Sequence, residues 1–458
     1  EALVLARKGY GRTSPNPMVG ALLVKGSVVI AQGWHRCAGG PHAEIIALNQ
    51  ARRRDYNVKG STLYVTLEPC TTTGKTPPCT EAIIAAGIAR VVVAAKDPNP
   101  AHSGRAFRVL RRAGIEVVKN FLADEATELN AAFNHWIVKG TPMVTVKAAM
   151  TLDGKIATEH GESKWITSEA ARREAMHLRK GADAILVGIE TVLADDPSLT
   201  VRGAKNSLRR IILDSNARTP VTANVVSDEY AELTTVVVVK GAPARRLAAL
   251  SKRVNVIEAP AGNGRVDLRW LLKRLGREEV SHLLVEGGGE VNASFFENKQ
   301  AQRVAFFYAP KVLGGKHARP AVGGKGAADG ILNVFYSAQI LGVRLHDING
   351  QFLGGIPAFA EVWRVVGEVQ EEWFFLFLPF QKTNRFIGNQ FSGVPIFIHV
   401  LLAMIPVALD AVAHGVEIYA TTGVPDKFIE PVAGGEKLFL AVAQVPFADE
   451  GRVIAALL

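Results

Sequence analysis

The feature that most constrains this chain is a set of three separated signals: His42-Ala43-Glu44, then Pro69-Cys70, then Pro78-Cys79. One imidazole and two thiolates supply three zinc ligands and leave the fourth position open for water, whereas a structural zinc normally takes four protein ligands. Glu44, two residues after His42, is placed to move the protons of that water. This is the donor set that hydrolytic deamination of an aminopyrimidine or aminopurine requires. A lone histidine would read as a satisfied core residue. The joint pattern reads as a catalytic metal centre with His42, Cys70 and Cys79 as ligands and Glu44 as acid/base.

With 458 residues the chain exceeds one ordinary core and predicts two or three domains. Its 53 Lys and Arg against 43 Asp and Glu give a net charge of +10. That balance favours anionic partners, and because the basic residues are spread rather than blocked, small phosphorylated ligands are expected in preference to nucleic acid. Three cysteines, two of them in the zinc pattern, make no disulfide framework, so a reducing, cytoplasmic location is expected. Cys37, the third, reads as a small buried or incidental thiol. The chain opens at Glu1 inside predicted helix, a start compatible with a leader upstream.

Helix and strand patterns alternate through the first 137 residues: an opening helix, a hairpin over 21–33, a helix after His42, strands over 61–67 and 90–95, and a helix after Cys79. An α/β/α sandwich buries such a pattern. Cys79 would then open a helix whose dipole favours its thiolate. A linker at Lys139-Gly140-Thr141-Pro142 introduces a second α/β run, with strands over 144–148, 184–187, 210–213, 235–239 and 282–285. The domains expected are therefore 1–140, 141–345 and an unassigned 346–458. In the last, 374–378 and 394–409 are strongly apolar, but the second contains Pro395, His399 and Pro406 and is short for a membrane span. Buried strands or helices are the favoured reading, with no membrane association expected; a frameshifted or fused tail is the alternative.

Three stretches carry a resemblance: Thr13-Ser14-Pro15-Asn16-Pro17-Met18-Val19-Gly20, Gly39-Gly40-Pro41-His42-Ala43-Glu44, and Leu67-Glu68-Pro69-Cys70 with Gly74-Lys75-Thr76-Pro77-Pro78-Cys79. They resemble the bifunctional riboflavin-biosynthesis deaminase/reductase family, in which eight residues between the cysteines replace the tight Pro-Cys-x-x-Cys of nucleoside and nucleic-acid deaminases. The resemblance implies a cytidine-deaminase-like fold and places Asn16, His35 and Lys75 against the pyrimidine or its ribosyl phosphate. Thr72 stands where many relatives have His.

In the second half, no Gly-x-Gly-x-x-Gly follows a strand, so an ordinary Rossmann site is not supported. Leu283-Leu284-Val285-Glu286-Gly287-Gly288-Gly289 is instead a strand entering glycines ahead of a helix, a backbone suited to phosphate or simply a strand-to-helix turn. Residues 146–155, 163–167, 191–197, 199–202 and 213–215 resemble the reductase half of the same family. That likeness implies a dihydrofolate-reductase-like α/β domain using NADPH to open a ribosyl ring into a ribityl chain. By the same likeness Ala149, Trp165, Thr191, Asp195, Ser215, Gly288, Gly289, Glu290, Val291, Asn292, Ala293 and Ser294 contact NADPH, and Lys147, Asp153, Ser163, Arg179, Leu199, Arg202 and Glu286 the substrate. Arg179 and Arg202 suit a 5′-phosphate. Taken singly, the basic residues read as solvated surface and Trp165 as core. The family pattern is not traceable beyond about Asn333, although 343–347 resembles the remnant of one of its last strands.

The expected activity is thus zinc-dependent deamination of 2,5-diamino-6-ribosylamino-4(3H)-pyrimidinone 5′-phosphate followed by NADPH-dependent reduction. The alternatives are a zinc deaminase of nucleosides or nucleic acid beside a non-functional reductase-like domain, and a zinc-stabilised binding module. Apolar tail residues could be covered in a homo-oligomer.

Overall fold

The computed structural model describes residues 1–72, 77–202, 208–262 and 264–326, and beyond them the backbone of strands Ala338–Leu341, Phe375–Phe377, Glu417–Thr421, Lys437–Val445 and Arg452–Leu457. The first layer structure is a five-stranded sheet in the order Val28–Trp34, Gly20–Lys25, Thr62–Leu67, Arg90–Ala95, Glu116–Val118. Its first two strands form the expected hairpin, closed at Gly26, whose φ of 61° suits a tight two-residue turn. The Gly20–Lys25 strand runs antiparallel to Thr62–Leu67, and the remaining pairs are parallel.

Alternation along these strands divides the core. Leu63, Val65, Val91 and Val93 pack with Ala47, Ile83 and Leu110 from helices Ala43–Arg53, Cys79–Ala85 and Arg105–Arg112. Leu67 and Ala94 pack instead with Leu3 and Ala126 from helices Ala2–Arg7 and Ala123–Leu129. This is the three-layer α/β/α arrangement, and each fully buried leucine or isoleucine contributes about 2 kcal/mol. Helix Ala131–Lys139 ends at Gly140, whose φ of 68° provides the left-handed turn before the next strand.

The second sheet has nine strands in the order Asn255–Ala259, Thr234–Val239, Arg209–Leu213, Ala184–Gly188, His282–Val285, Met143–Thr151, Arg303–Ala309, Ala338–Leu341, Phe375–Phe377. Every pair is parallel except the last. A parallel sheet covered on both faces wants continuous β-branched runs, and Ala184–Gly188 is buried at every position. Val146, Leu186, Ile211, Val237 and Leu283 join one core with helices Leu268–Arg277 and Gly289–Glu297, and Ile185, Val187, Ile212 and Val236 join another. The late strand His282–Val285 is inserted between two earlier ones, so the order of the strands reverses there, and a ligand site is expected at such a point beyond the strands' carboxyl ends.

Farther along the chain, Glu417–Thr421, Lys437–Val445 and Arg452–Leu457 form a three-stranded sheet, its first pair parallel and its second antiparallel. A strand occupies Phe375–Phe377 within the first apolar run of the tail. Residues 343–347 and 394–409 lie outside the described residues. Among the described residues no helix is long and apolar enough to cross a membrane. Cys37 is exposed, so the incidental reading of that thiol replaces the buried one.

Candidate metal centre and reductase crevice

Gly33 lets helix Ala43–Arg53 approach strand Val28–Trp34 closely, since a Cβ there would sit 2.3 Å from the Ala43 carbonyl oxygen. This contact fixes the helix start. His42 is its N-cap in extended conformation (φ −71°, ψ 160°), and Glu44 lies in the first turn, only 3 % exposed. Cys70 follows the end of strand Thr62–Leu67, and Cys79 is the first residue of helix Cys79–Ala85. The Cys79 amide donates to Cys70 Sγ at 3.2 Å, while the Thr80 amide and hydroxyl hold the Cys70 carbonyl at 3.3 and 3.2 Å.

His42 Nδ1 lies 3.2 Å from Cys79 Sγ and 3.5 Å from Cys70 Sγ, and all three ligand atoms fall within 4.8 Å of one another. Zinc bonds of usual length would set a tetrahedral N···S edge at about 3.5 Å, so the donor set fits this ion without rearrangement. Hydrogen bonds from Cys79 and His42 hold the Cys70 thiol well below the ordinary thiol range, while the bond to Cys70 and burial push Cys79 up. Burial raises Glu44 above the ordinary carboxylate range.

A cavity of about 320 Å³ opens on the ligands and is lined by His42, Glu44 and Cys70 and by the predicted Asn16 and His35. The His35 ring is directed from both sides. Its Nδ1 donates to the Pro41 carbonyl at 3.1 Å, so Nε2 of the neutral ring accepts from Asn16 Nδ2 at 3.1 Å. Burial lowers the His35 pKa and favours that neutral form. Lys75 lies outside the described residues.

The cavity also contains Asp97, Asn99, His102, Trp136 and Glu279, which sequence reasoning missed. Asp97-Pro98-Asn99 directly follows the parallel strand Arg90–Ala95, a position where site residues are expected and the one signal that could have found them. Glu68 has a supporting role: its carboxylate accepts from the amides of Asp97, Gly104 and Ala106 at 3.2, 2.9 and 3.0 Å and fastens the Asp97 loop to the cysteine strand.

In the second sheet, Glu286 ends strand His282–Val285 and faces two cations. Arg179 approaches it with two nitrogens, at 2.9 and 3.0 Å, and Lys147 lies at 3.6 Å. Burial alone would raise Glu286, but Lys147 and Arg179 hold it at about 2. Arg179 also donates to the Thr200 carbonyl at 3.1 Å, beside buried Leu199, whereas Arg202 is exposed. Asp153 accepts from the Leu313 and Gly314 amides at 3.1 and 2.8 Å. Trp165 is 62 % exposed under the guanidinium of Arg172, so it is not core. Ser163 is half-buried, and Ala149 packs near Phe307 on strand Met143–Thr151.

The glycines after Glu286 divide in function. A Cβ at Gly289 would sit 2.5 Å from the Pro320 carbonyl oxygen, a packing constraint, whereas one at Gly288 would meet only Thr191 Oγ1, at 4.0 Å. Gly288 therefore faces open space at the start of helix Gly289–Glu297, whose first amides have no intrahelical acceptor. That cradle fits the phosphates of a dinucleotide. Thr191 and Asp195 lie on the adjoining helix Ile189–Asp195, and Ser215 follows strand Arg209–Leu213. Farther along, Glu290 bonds Arg265 and the Gly324 amide, Ser294 Oγ bonds the Glu290 carbonyl, and Val291 and Ala293 enter the core. Buried Asn292 donates to Ala321 O at 2.8 Å, and its Oδ1 has no partner.

Comparison with known proteins gives a consistent set of relatives. Residues 1–95 match the family model "Cytidine and deoxycytidylate deaminase zinc-binding region", and residues 142–345 match "RibD C-terminal domain". Riboflavin biosynthesis protein RibD of Aquifex aeolicus is 47 % identical over 315 residues, covering 68 % of this chain and 86 % of that protein. The Escherichia coli protein of the same name is 38 % identical over 323 residues, covering 68 % and 87 %. A solved structure of Acinetobacter baumannii RibD aligns at TM-score 0.63 and 36 % identity over 72 % of this chain and 90 % of that one. The Thermotoga maritima diaminohydroxyphosphoribosylaminopyrimidine deaminase/5-amino-6-(5-phosphoribosylamino)uracil reductase aligns at TM-score 0.63 and 34 % identity over 82 % and 95 %.

Proposed function

Since this chain belongs to the RibD family of riboflavin-biosynthesis deaminase/reductases, we propose that its two sites act in turn on one phosphorylated pyrimidine, 2,5-diamino-6-ribosylamino-4(3H)-pyrimidinone 5′-phosphate. The division of labour proposed is deamination by residues 1–140 and NADPH-dependent reduction by 141–345. The observation that carries the reading is the convergence of His42, Cys70 and Cys79 around one point with buried Glu44 in the adjoining helix turn.

Zinc held by these three residues would supply an acidified water as nucleophile. Glu44 takes the proton that water gives up and passes it to the ring nitrogen; it then takes the remaining proton of the attacking oxygen and delivers it to the amino group, which leaves as ammonia as that oxygen becomes the ring carbonyl. Its burial supports this role, because a carboxyl with a raised pKa can both accept and return a proton. Asn16, His35 and Lys75 are proposed to hold the pyrimidine or its ribosyl phosphate.

A nicotinamide cofactor would supply the hydride in the second step. Lys147, Glu286 and Arg179 together carry one net positive charge, suited to a substrate 5′-phosphate, and Lys147 can polarise the opening sugar. Asp153, Ser163, Leu199 and Arg202 complete the proposed substrate set. Ala149, Trp165, Thr191, Asp195, Ser215 and residues 288–294 are assigned to NADPH, with the open cradle at Gly288 for its phosphates.

A substrate panel tests the assignment. Ammonia release should be rapid from the diaminopyrimidinone phosphate and negligible from cytidine or dCMP, and NADPH should outperform NADH. Comparable turnover of dCMP would favour the nucleoside-deaminase alternative.

A further inference from the structure

The segment carrying Asn16, Thr13-Ser14-Pro15-Asn16-Pro17-Met18, contains two prolines that flank Asn16 and have no N–H to donate. A strand ladder cannot hold such a loop, yet Asn16 must meet His35 Nε2 at 3.1 Å beside the ligand His42. Its own backbone supplies a single turn, Asn16 N to Thr13 O at 2.8 Å. The remaining order comes from outside the loop.

One support is Asn130. It is 3 % exposed and sits at the N-cap of helix Ala131–Lys139, where an asparagine side chain would ordinarily cap the helix, but it makes no capping bond. Instead Oδ1 accepts from Met18 N at 2.7 Å and Nδ2 donates to Met18 O at 2.9 Å. The other support comes from the reductase sheet. Ser281 Oγ donates to the Asp183 carboxylate at 2.7 Å, so in its 3.2 Å contact with Ser14 it must accept, and Ser14 donates. Asp183 also takes the amides of Ser281 and His282 at 2.7 and 2.9 Å, which fixes the acceptor. The same stretch of chain gives Gly276 O to the indole of Trp136 at 2.8 Å and Glu279 to the wall of the metal-centre cavity.

We propose that Asn130 and the Asp183–Ser281–Ser14 chain are positioning elements for deamination, holding the Asn16 loop in register with His35 so that the reductase domain completes the deaminase substrate site. This rests on the deaminase reading above. None of these four residues touches the metal ligands, so they act on substrate binding and not on the acid/base step.

The test uses the full chain and its two activities as mutual controls. Asn130→Ala should raise the KM for deamination about tenfold, the worth of one to two buried hydrogen bonds, and Ser14→Ala about threefold. In both, kcat for deamination and all constants for reduction of separately prepared deaminated intermediate should stay within about twofold. Ser14→Thr, which keeps the hydroxyl, should restore the parent KM. In a Glu44→Gln background, which binds substrate without consuming it, calorimetry should show the same losses in affinity. Unchanged KM, a fall in kcat alone, or an equal fall in both activities would overturn the proposal. Failure of the parent enzyme to release ammonia would overturn the deaminase reading itself, a separate and earlier result in the same assay.

Discussion

The two sites are built on opposite plans. At the metal centre, chemistry is concentrated in four side chains, three at two helix starts and Cys70 just after a strand, and a bound cation would turn them to moving protons. In the reductase crevice no side chain is asked for comparable chemistry. In the proposed reading, a buried carboxylate between two cations and a cradle of open backbone around Gly288 would hold two ligands against each other, with rate coming from their orientation. A site of the first kind should fail abruptly when one group changes, and a site of the second kind should fail by degrees.

Glu44→Gln should make the largest difference. Deamination should fall by about 10⁴-fold, the upper range for loss of a general acid/base, while zinc content stays at the parent level and reduction is untouched. Near-normal ammonia release from that variant would erase the contrast. Glu286→Gln comes next. It leaves Lys147 and Arg179, 15 % and 16 % exposed, without their counter-charge, so reduction should drop about 10²-fold and the domain lose about 3 kcal/mol of stability, with deamination spared.

The glycine pair sharpens the picture of the cradle. A methyl at Gly288 has room in the protein, so Gly288→Ala should fold normally and raise the KM for NADPH about tenfold, or about 1.4 kcal/mol. Gly289→Ala meets the Pro320 carbonyl and should cost about 2 kcal/mol of thermal stability. If Gly288→Ala left cofactor binding unchanged, the phosphate assignment would be lost. The smallest effect concerns acid. Glu286 falls from 4.5 to about 2 on folding, so its stabilisation is complete above pH 4.5 and disappears as pH falls towards 2. The stability gap between parent and Glu286→Gln, followed by denaturant melts, should close over that interval.

The contrast also explains what could be read before any coordinates. His42, Glu44, Cys70 and Cys79 are legible because each ligand stands in a short local pattern, and Pro69 and Pro78 mark where strand and loop give way. Asp97, Asn99 and His102 were overlooked because their loop is brought to the ligands by Glu68, through amide bonds that leave no pattern in the chain. Strand Arg303–Ala309 was missed too: in a sheet covered on both faces the period-two alternation is weak. Lys147, Arg179 and Glu286 could be named only through family resemblance, since Arg179 and Glu286 are 107 positions apart and nothing local joins them. Asn130 stands at a helix N-cap, yet its side chain bonds the Met18 backbone, a partnership that nothing local in the sequence marks.

The most direct test of two consecutive reactions is to supply the zinc-loaded full chain with the diaminopyrimidinone phosphate and NADPH, and to follow ammonia and NADPH together. The account predicts ammonia first, then NADPH oxidation after a lag, with one NADPH consumed for each ammonia released. NADPH oxidation with no ammonia, or ammonia with no NADPH oxidation at completion, would contradict it.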